Sequence, residues 1–462
     1  MDNELDHENG ALNNQELATS SINRLFFKYG SLTLIGQIAQ AIMVILEGIF
    51  IGQGLGSLGL ATVSVIMPLE LLSTGLGGGL GIGVSTVSAL DKGKGNVERS
   101  QKVFSDGFWF TLIISILLAL IIGFNASGIA SLLGAQAETH QAAATFIRIF
   151  MVGYPFSITG QMIVSMLRVD EQPGLSSWIM SLSALISILE LYYGVFIAKW
   201  GIVAVGIYYG MSIGLFFTGI FYFIFSKTKL KIKFDFNFDW KTILDDIKIS
   251  IPYFVITISS SIFTWVMNII LGKNGTSVDV AAFGIVNGYI FYIFNTITVS
   301  LTQGMQPIAS YNYGAKLFDR VRQLLNISIL SNIVVIAAIT LLYAVFSRPL
   351  VTIFAGSDTQ LMKMTMSTSI IMVGFTALGS TVNILSGYYQ AINKIKISNF
   401  LGIIKFLIIA TPLLLILNAI FGANGAWYSQ PIADVIVFIV SLILWKKEID
   451  NLKKEVKELR IN

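Results

Sequence analysis

Residues 31–52 read SLTLIGQIAQAIMVILEGIFIG, a stretch whose one charged residue is Glu47 and whose amides are Gln37 and Gln40. At about 1.5 Å per residue such a helix reaches roughly 30 Å, the thickness of a bilayer's hydrocarbon core. An ionisable group at that depth is costly, so Glu47 needs a purpose. Working outward, the same pattern of long apolar run and short polar break recurs at 58–89, 104–133, 143–167, 176–198, 202–225, 248–271, 280–306, 323–346, 361–388, 396–419 and 425–445. The reading is an all-α membrane protein of about twelve transmembrane helices in two pseudo-symmetric six-helix bundles.

Composition agrees, with 54% hydrophobic and 12% charged residues where a soluble chain carries about a quarter charged. Cysteine is absent and the two histidines, His7 and His140, are far apart, which argues against disulfides, a metal centre and a catalytic dyad. Little chain is left outside the spans to form a soluble enzyme domain. The expectation is a transporter that is not an enzyme, with no cofactor and no nucleic-acid partner.

Twelve spans return the chain to its starting side. Of the 30 Lys and Arg residues, 24 fall in the tails and breaks assigned to one side and four (Lys199, Lys273, Arg348, Lys363) to the other, with Arg148 and Lys405 inside spans. The positive-inside rule therefore makes both termini cytoplasmic in a multi-pass cell-membrane protein. The chain divides into an N-terminal tail (1–30), a first lobe (31–225), a basic linker (226–247), a second lobe (248–445) and a C-terminal segment (446–462). In that segment Ile449, Leu452, Val456 and Leu459 recur at helical spacing among Lys and Glu, which predicts an amphipathic helix at the inner membrane surface. A shift of 221 residues lays Gly83 on Gly304, Gly93 on Gly314, Arg99 on Arg320 and Gly201 on Gly422. Six spans per half make these parallel repeats about an axis along the membrane normal.

Polar residues inside the spans form stripes. Gln37, Gln40 and Glu47 share a face of the first span; Ser183, Ser187, Glu190 and Tyr193 share one on the fifth. Ser261, Trp265 and Asn268 do so on the seventh, and Ser380, Asn383, Gly387 and Gln390 on the tenth. Stripes of this kind face a bundle interior or a wet cavity. For the neutral ones, interhelical hydrogen bonding and cavity lining are both open. For Glu47 and Glu190 a cavity role in cation coupling is the stronger reading, with the two placed close enough to share protons or waters. Glu70, two residues after Pro68, is a third candidate. Asp170, Glu171 and Asp434 lie near span ends, where headgroups, water or loop groups would meet them. GLGGGLGIG at 75–83 lies inside an apolar span without a βαβ context, so it reads as close helix packing or a gate, not a nucleotide loop.

Five stretches resemble the multidrug and toxic compound extrusion (MATE) family: QPIASYNYGA (306–315), EGIFIGQGLGSLGLATV (47–63), LRVDEQPGLSSW (167–178), GYYQAINK (387–394) and FGANGAWYSQPIAD (421–434). The resemblance runs in order over about residues 30–445. It implies two lobes forming a V and export of small amphipathic, cationic compounds in exchange for H⁺ or Na⁺ by a functional monomer. Family members carry Asp preceded by Asn in the first and fifth spans; here Glu47 and Glu190 stand there, with Val44 and Ile186 at the Asn positions. Lys405 lies where relatives often have Arg. The longer acid without its amide neighbour favours H⁺ over Na⁺, since a Na⁺ site depends on several oxygens at fixed distances. The alternative is a lipid-linked saccharide flippase of the wider superfamily, which would want several Arg or Lys inside the bundle to hold pyrophosphate.

Overall fold

The computed structural model describes residues 16–135, 137–210, 213–226, 228–233, 237–355 and 358–461; tail residues 1–15, which include His7, and linker residue Lys227 lie outside them. The described residues form helices and connections, with no strand among them. In chain order the long helices are α1 (Ile22–Gly56), α2 (Leu58–Gly93), α3 (Val97–Phe124), α4 (Ala137–Val169) and α5 (Pro173–Ile197). Then come α6, described as Ile202–Gly210 and Ile213–Phe225, α7 (Trp240–Asn274), α8 (Ser277–Gly314) and α9 (Phe318–Ala355). The last are α10, broken into Thr359–Val373, Thr376–Gly379 and Thr381–Ala391, α11 (Ile395–Phe421) and α12 (Ser429–Ile461). By length and composition nine helices among the described residues can cross a membrane, or ten if the bent α10 pair (43°) is one span. The expected spans at 202–225 and 425–445 fall on α6, whose two described pieces flank residues 211–212, and on α12, which runs on into a charged segment.

Local chemistry sets the boundaries. Gly56 (φ 66°, ψ −156°) divides α1 from α2 in a conformation that side chains forbid. The third span was expected to run to 133, but α3 ends at Phe124. There Asn125 turns its side-chain amide back onto the carbonyl of Ile121 (2.8 Å), and a separate helix resumes at Ala126. The linker, expected to last to 247, gives way to α7 at Trp240. Asp239 supplies the start by accepting from the backbone of Lys241 and Thr242 and from the Thr242 hydroxyl (2.7 Å). That hydroxyl bond, above all, holds the Asp239 carboxyl below its ordinary range. The expected amphipathic C-terminal helix is no separate element, since α12 continues unbroken to Ile461. Glu448 fixes it, accepting from Lys394 (2.8 and 2.9 Å) and Tyr388 (3.2 Å), with Leu452 buried.

Contacts divide the chain into two compact units: residues up to Thr19 with Ser31–Ser250, and Ser20–Gly30 with Ile251–Asn462. Each unit thus takes the first turns of the helix that opens the other half. In the first unit, α7 begins on α2: a Cβ on Gly83 would collide with the backbone oxygen of Asp246. In the second, the start of α1 lies on α8: a Cβ on Gly304 would stand 2.7 Å from the nitrogen of Gly30. Other glycines of the 75–83 run also serve close packing, Gly77 against the Gln161 side chain and Gly81 against Met162. Further local features agree at the 221-residue offset. Gly95 (φ 83°) and Lys316 (φ 57°) are both left-handed, and Arg99 pairs with Asp91 (3.0 Å) as Arg320 does with Asn312 (2.7 Å).

Gly83→Ala and Gly304→Ala should each lower thermal stability by about 1–3 kcal/mol, because backbone cannot yield as a side chain can. Gly48→Ala, where a Cβ meets nothing within 4 Å, should be near neutral. Detergent-solubilised melting curves of the three variants check this.

Candidate functional site

In the first unit, Glu47 is buried (6% exposed) within a cluster that includes Ile51, Phe146, Phe150, Tyr154 and Leu191. An unpaired carboxylate there would be costly. Two phenols meet it: Tyr208 donates to Oε2 (2.9 Å) and Tyr209 donates to Oε1. Neighbouring residues on a helix point about 100° apart, so Glu47 sits in the cleft between their side chains. Their rings are braced edge-on against each other (5.1 Å), and Tyr209 also against Phe146 (5.4 Å) and Phe150 (6.0 Å). Glu70, half-buried on α2, lies within electrostatic reach of Glu47 and of the same Tyr209. The site is therefore one carboxyl held by two phenols, with a second carboxyl within electrostatic reach.

Glu190 is not hydrogen-bonded into this centre. It lies on α5 just before the π-helical turn Tyr193–Ile197, and both its carboxyl oxygens are enclosed without a hydrogen-bond partner. The structure brings Glu70 to Glu47; between Glu190 and Glu47 it shows no hydrogen bond among the described residues. A π turn widens the helix by one residue and frees backbone groups, a local geometry frequent at functional sites.

The neutral stripes split into two kinds. Gln40 donates to the carbonyl of Met180 (3.2 Å), tying α1 to α5, and Gln306 donates to Gln390 (3.0 Å), tying α8 to α10. Ser187 is buried, and Gln37 and Asn383 are half-buried. Asn268 and Tyr193 are exposed, as is Trp265. A cavity of about 350 Å³ in the first unit, lined by Gln53, Gly54, Leu55, Val195, Phe196, Lys199 and Gly201, holds none of the three glutamates.

Asp434 overturns its expectation of water or headgroups. It is fully buried in the second unit, 2.8 Å from the Lys405 ammonium, which is itself 6% exposed and lies in the π-helical stretch Ile404–Ala410. A Cβ on Gly379 would strike the Asp434 carboxyl, so a glycine in the break of α10 makes its room. Asp170 and Glu171 find protein partners, of which only Thr228 lies in a loop: Asp170 accepts from Tyr222 of α6 and from Thr228 (2.7 Å each), and Glu171 from the backbone of Glu16 (3.0 Å). Sequence reasoning missed Tyr208 and Tyr209. Two adjacent phenols in the apolar run IVAVGIYYG were the available signal, since a buried tyrosine hydroxyl seeks a partner.

The MatE family profile matches residues 33–193 and 252–416, one stretch in each half. The chain belongs to the MATE family. It is 24% identical over 437 residues to the multidrug export protein MepA of Staphylococcus saprophyticus, covering 92% of this chain and 94% of that one. MepA of Staphylococcus aureus strain MSSA476 is likewise 24% identical, over 434 residues. Among solved structures, a MATE protein in complex with MaL6 superposes with a TM-score of 0.90 at 18% identity, covering 95% of this chain and 99% of that one. An outward-facing multidrug resistance MATE transporter of the MOP superfamily gives 0.89 at 19%, covering 95% and 98%. A MOP superfamily transporter from Pyrococcus furiosus, described as having a binding pocket of reverse polarity, gives 0.87 at 18%, with 95% and 98% covered. These structures share the MATE fold with this membrane transporter. Substrate charge has to be argued from its own residues.

Tyr208→Phe or Tyr209→Phe should cost about 1–3 kcal/mol of stability by leaving a buried carboxyl oxygen short of a donor. Tyr193→Phe, on an exposed phenol, should be near neutral. Lys405→Ala should cost about 3–5 kcal/mol by stranding Asp434, and Lys405→Met with Asp434→Leu should recover most of it. Unfolding midpoints in one detergent decide both sets.

Proposed function

We propose that this MATE transporter is a multidrug efflux antiporter that exports small amphipathic organic cations in exchange for H⁺, working as a monomer by alternating access. The observation that carries the reading is the Glu47–Tyr209–Glu70 constellation, with Tyr208 on the inner acid. Two neighbouring carboxyls, one of them held by phenols, can accept, hold and pass on a proton without moving backbone. Anionic groups in an otherwise apolar environment also attract a cation. The names of the MepA relatives, multidrug export proteins, support the same reading.

Proton coupling is favoured over Na⁺ by donor chemistry. Tyr208 and Tyr209 each donate to one Glu47 oxygen. That takes up about half of the carboxylate's lone-pair sites and leaves fewer for a hard cation that needs several oxygens, while a proton needs one carboxyl oxygen. Glu190, enclosed beside a π turn, is the further coupling candidate. The runner-up flippase reading loses ground because the intramembrane Lys405 is taken by Asp434 and Arg148 is exposed. The 24-to-4 distribution of basic residues supports cytoplasmic termini in a cell-membrane protein. The shared local geometry at the 221-residue offset supports an internal repeat.

A proton biases two packings only by its differential affinity, about 1.4 kcal/mol for each tenfold ratio. Glu47→Gln keeps shape and an amide but cannot change charge. In proteoliposomes, efflux of a fluorescent organic cation driven by an imposed pH gradient should fall to background in Glu47→Gln, with substrate binding retained. Efflux driven by a Na⁺ gradient alone should be absent in the wild type. Pumping by a variant with both Glu47→Gln and Glu70→Gln would remove this constellation as the coupling site.

A further inference from the structure

The first turns of α7 hold a group that the Glu47 site does not use. Asp246 is 2% exposed, and neither carboxyl oxygen has a hydrogen-bond partner. It is packed where α7 meets α2 backbone to backbone at Gly83, with the Ser250 hydroxyl turned onto the Asp246 carbonyl (2.8 Å) and away from its carboxyl.

The charges that face Asp246 are of its own sign. Asp106 on α3, Asp91 on α2 and, on its own segment, Asp245 and Asp239 lie within electrostatic reach. The cations nearby are engaged by those other aspartates. Lys102 pairs with Asp106 (3.2 Å), Lys94 and Arg99 with Asp91 (3.0 Å each), and Lys248 with Asp245 (3.0 Å). Among the described residues no three acidic, histidine or cysteine side chains are grouped to hold a metal ion. An ionised carboxylate enclosed without donor or cation is the costliest state such a side chain can adopt; the neutral acid removes most of that cost.

The other half shows what the position otherwise asks for. The 221-residue shift lays Asp246 on Leu25, which is fully buried in the first turns of α1 that pack in the second unit. One half holds a buried alkyl group at this position and the other a smaller carboxyl of the same branched shape. A neutral acid can stand in for leucine there; an anion cannot.

We propose that Asp246 is a proton-binding site: its carboxyl carries a proton while residues 240–250 are seated on α2, and loss of that proton to the cytosol unseats them. The seated form then holds one more proton than the unseated form. Linkage fixes the sign: seating is complete at low pH and weakens as pH rises, by up to about tenfold per pH unit. This site is separate from Glu47 and Glu70, and rests on the proposed function only for which compartment receives the proton.

The test is amide hydrogen exchange of segment 240–250 in lipid nanodiscs across pH 5–9, corrected for the intrinsic pH dependence of exchange. The wild type should lose protection as pH rises. Asp246→Asn and Asp246→Leu should stay protected at the wild-type low-pH level throughout. The variant with Glu47→Gln and Glu70→Gln should keep the wild-type pH response, which separates this site from the transport site. Constant protection in the wild type, an unchanged pH response in both Asp246 variants, or loss of the response in the Glu47/Glu70 variant would each overturn the proposal. Orientation is read apart from this: the chain has no cysteine, so Lys229→Cys can be labelled from one side with an impermeant maleimide.

Discussion

The two hydrogen bonds that Tyr208 and Tyr209 donate to Glu47 are the condition on which the first half's arrangement rests. A carboxyl can sit in an apolar bundle only where donors replace water, and the donors must be held rigidly enough that the replacement is permanent. Here the rings are braced by Phe146, Phe150 and each other, so α4 and α6 position the phenols for an acid on α1. Glu70 on α2 lies within electrostatic reach of the same centre. Four helices are tied together by one polar centre, and a change in its charge is felt by all of them.

The halves treat their buried acids differently. In the first, Glu47 meets neutral donors and keeps its capacity to gain or lose a proton. In the second, Asp434 is matched by Lys405, a resident cation that leaves little for an incoming one to gain. Such a pair is weak evidence for stability in itself, but removing either partner strands the other. It also falls where both flanking helices are irregular, in the π stretch of α11 and beside the broken α10. Local irregularity and a buried charge pair go together there because backbone room, made at Gly379, is what admits the carboxyl.

Much of this was legible in the chain. Glu47 could be singled out because a lone charge in an apolar run has no bland explanation, and the 221-residue offset could be seen because glycines at helix crossings are irreplaceable. What the sequence hid was partnership. Each of Glu47 and Glu190 closes a polar stripe, yet the hydrogen bonds on Glu47 come from Tyr208 and Tyr209, with Glu70, on the helix after Gly56, within electrostatic reach. Stripe periodicity reports which face a residue takes, not which neighbour fills that face. Asp434 was misread for a related reason: nearness to a span's end in sequence says little when a glycine on another helix makes a buried place for it. The third span overran because the Asn125 break interrupts hydropathy less than a proline or charge would. The C-terminal helix was cut off at Trp445 because composition changes there while the helical backbone does not.

The central claim is that the Glu47–Tyr209–Glu70 constellation exchanges a proton for substrate. The most direct measurement is proton release by the purified protein, in weakly buffered detergent solution with a pH indicator, as an organic cation is titrated in. The account predicts release of about one proton per cation bound in the wild type, and none from protein carrying both Glu47→Gln and Glu70→Gln that still binds the cation. Equal release from that variant would contradict it.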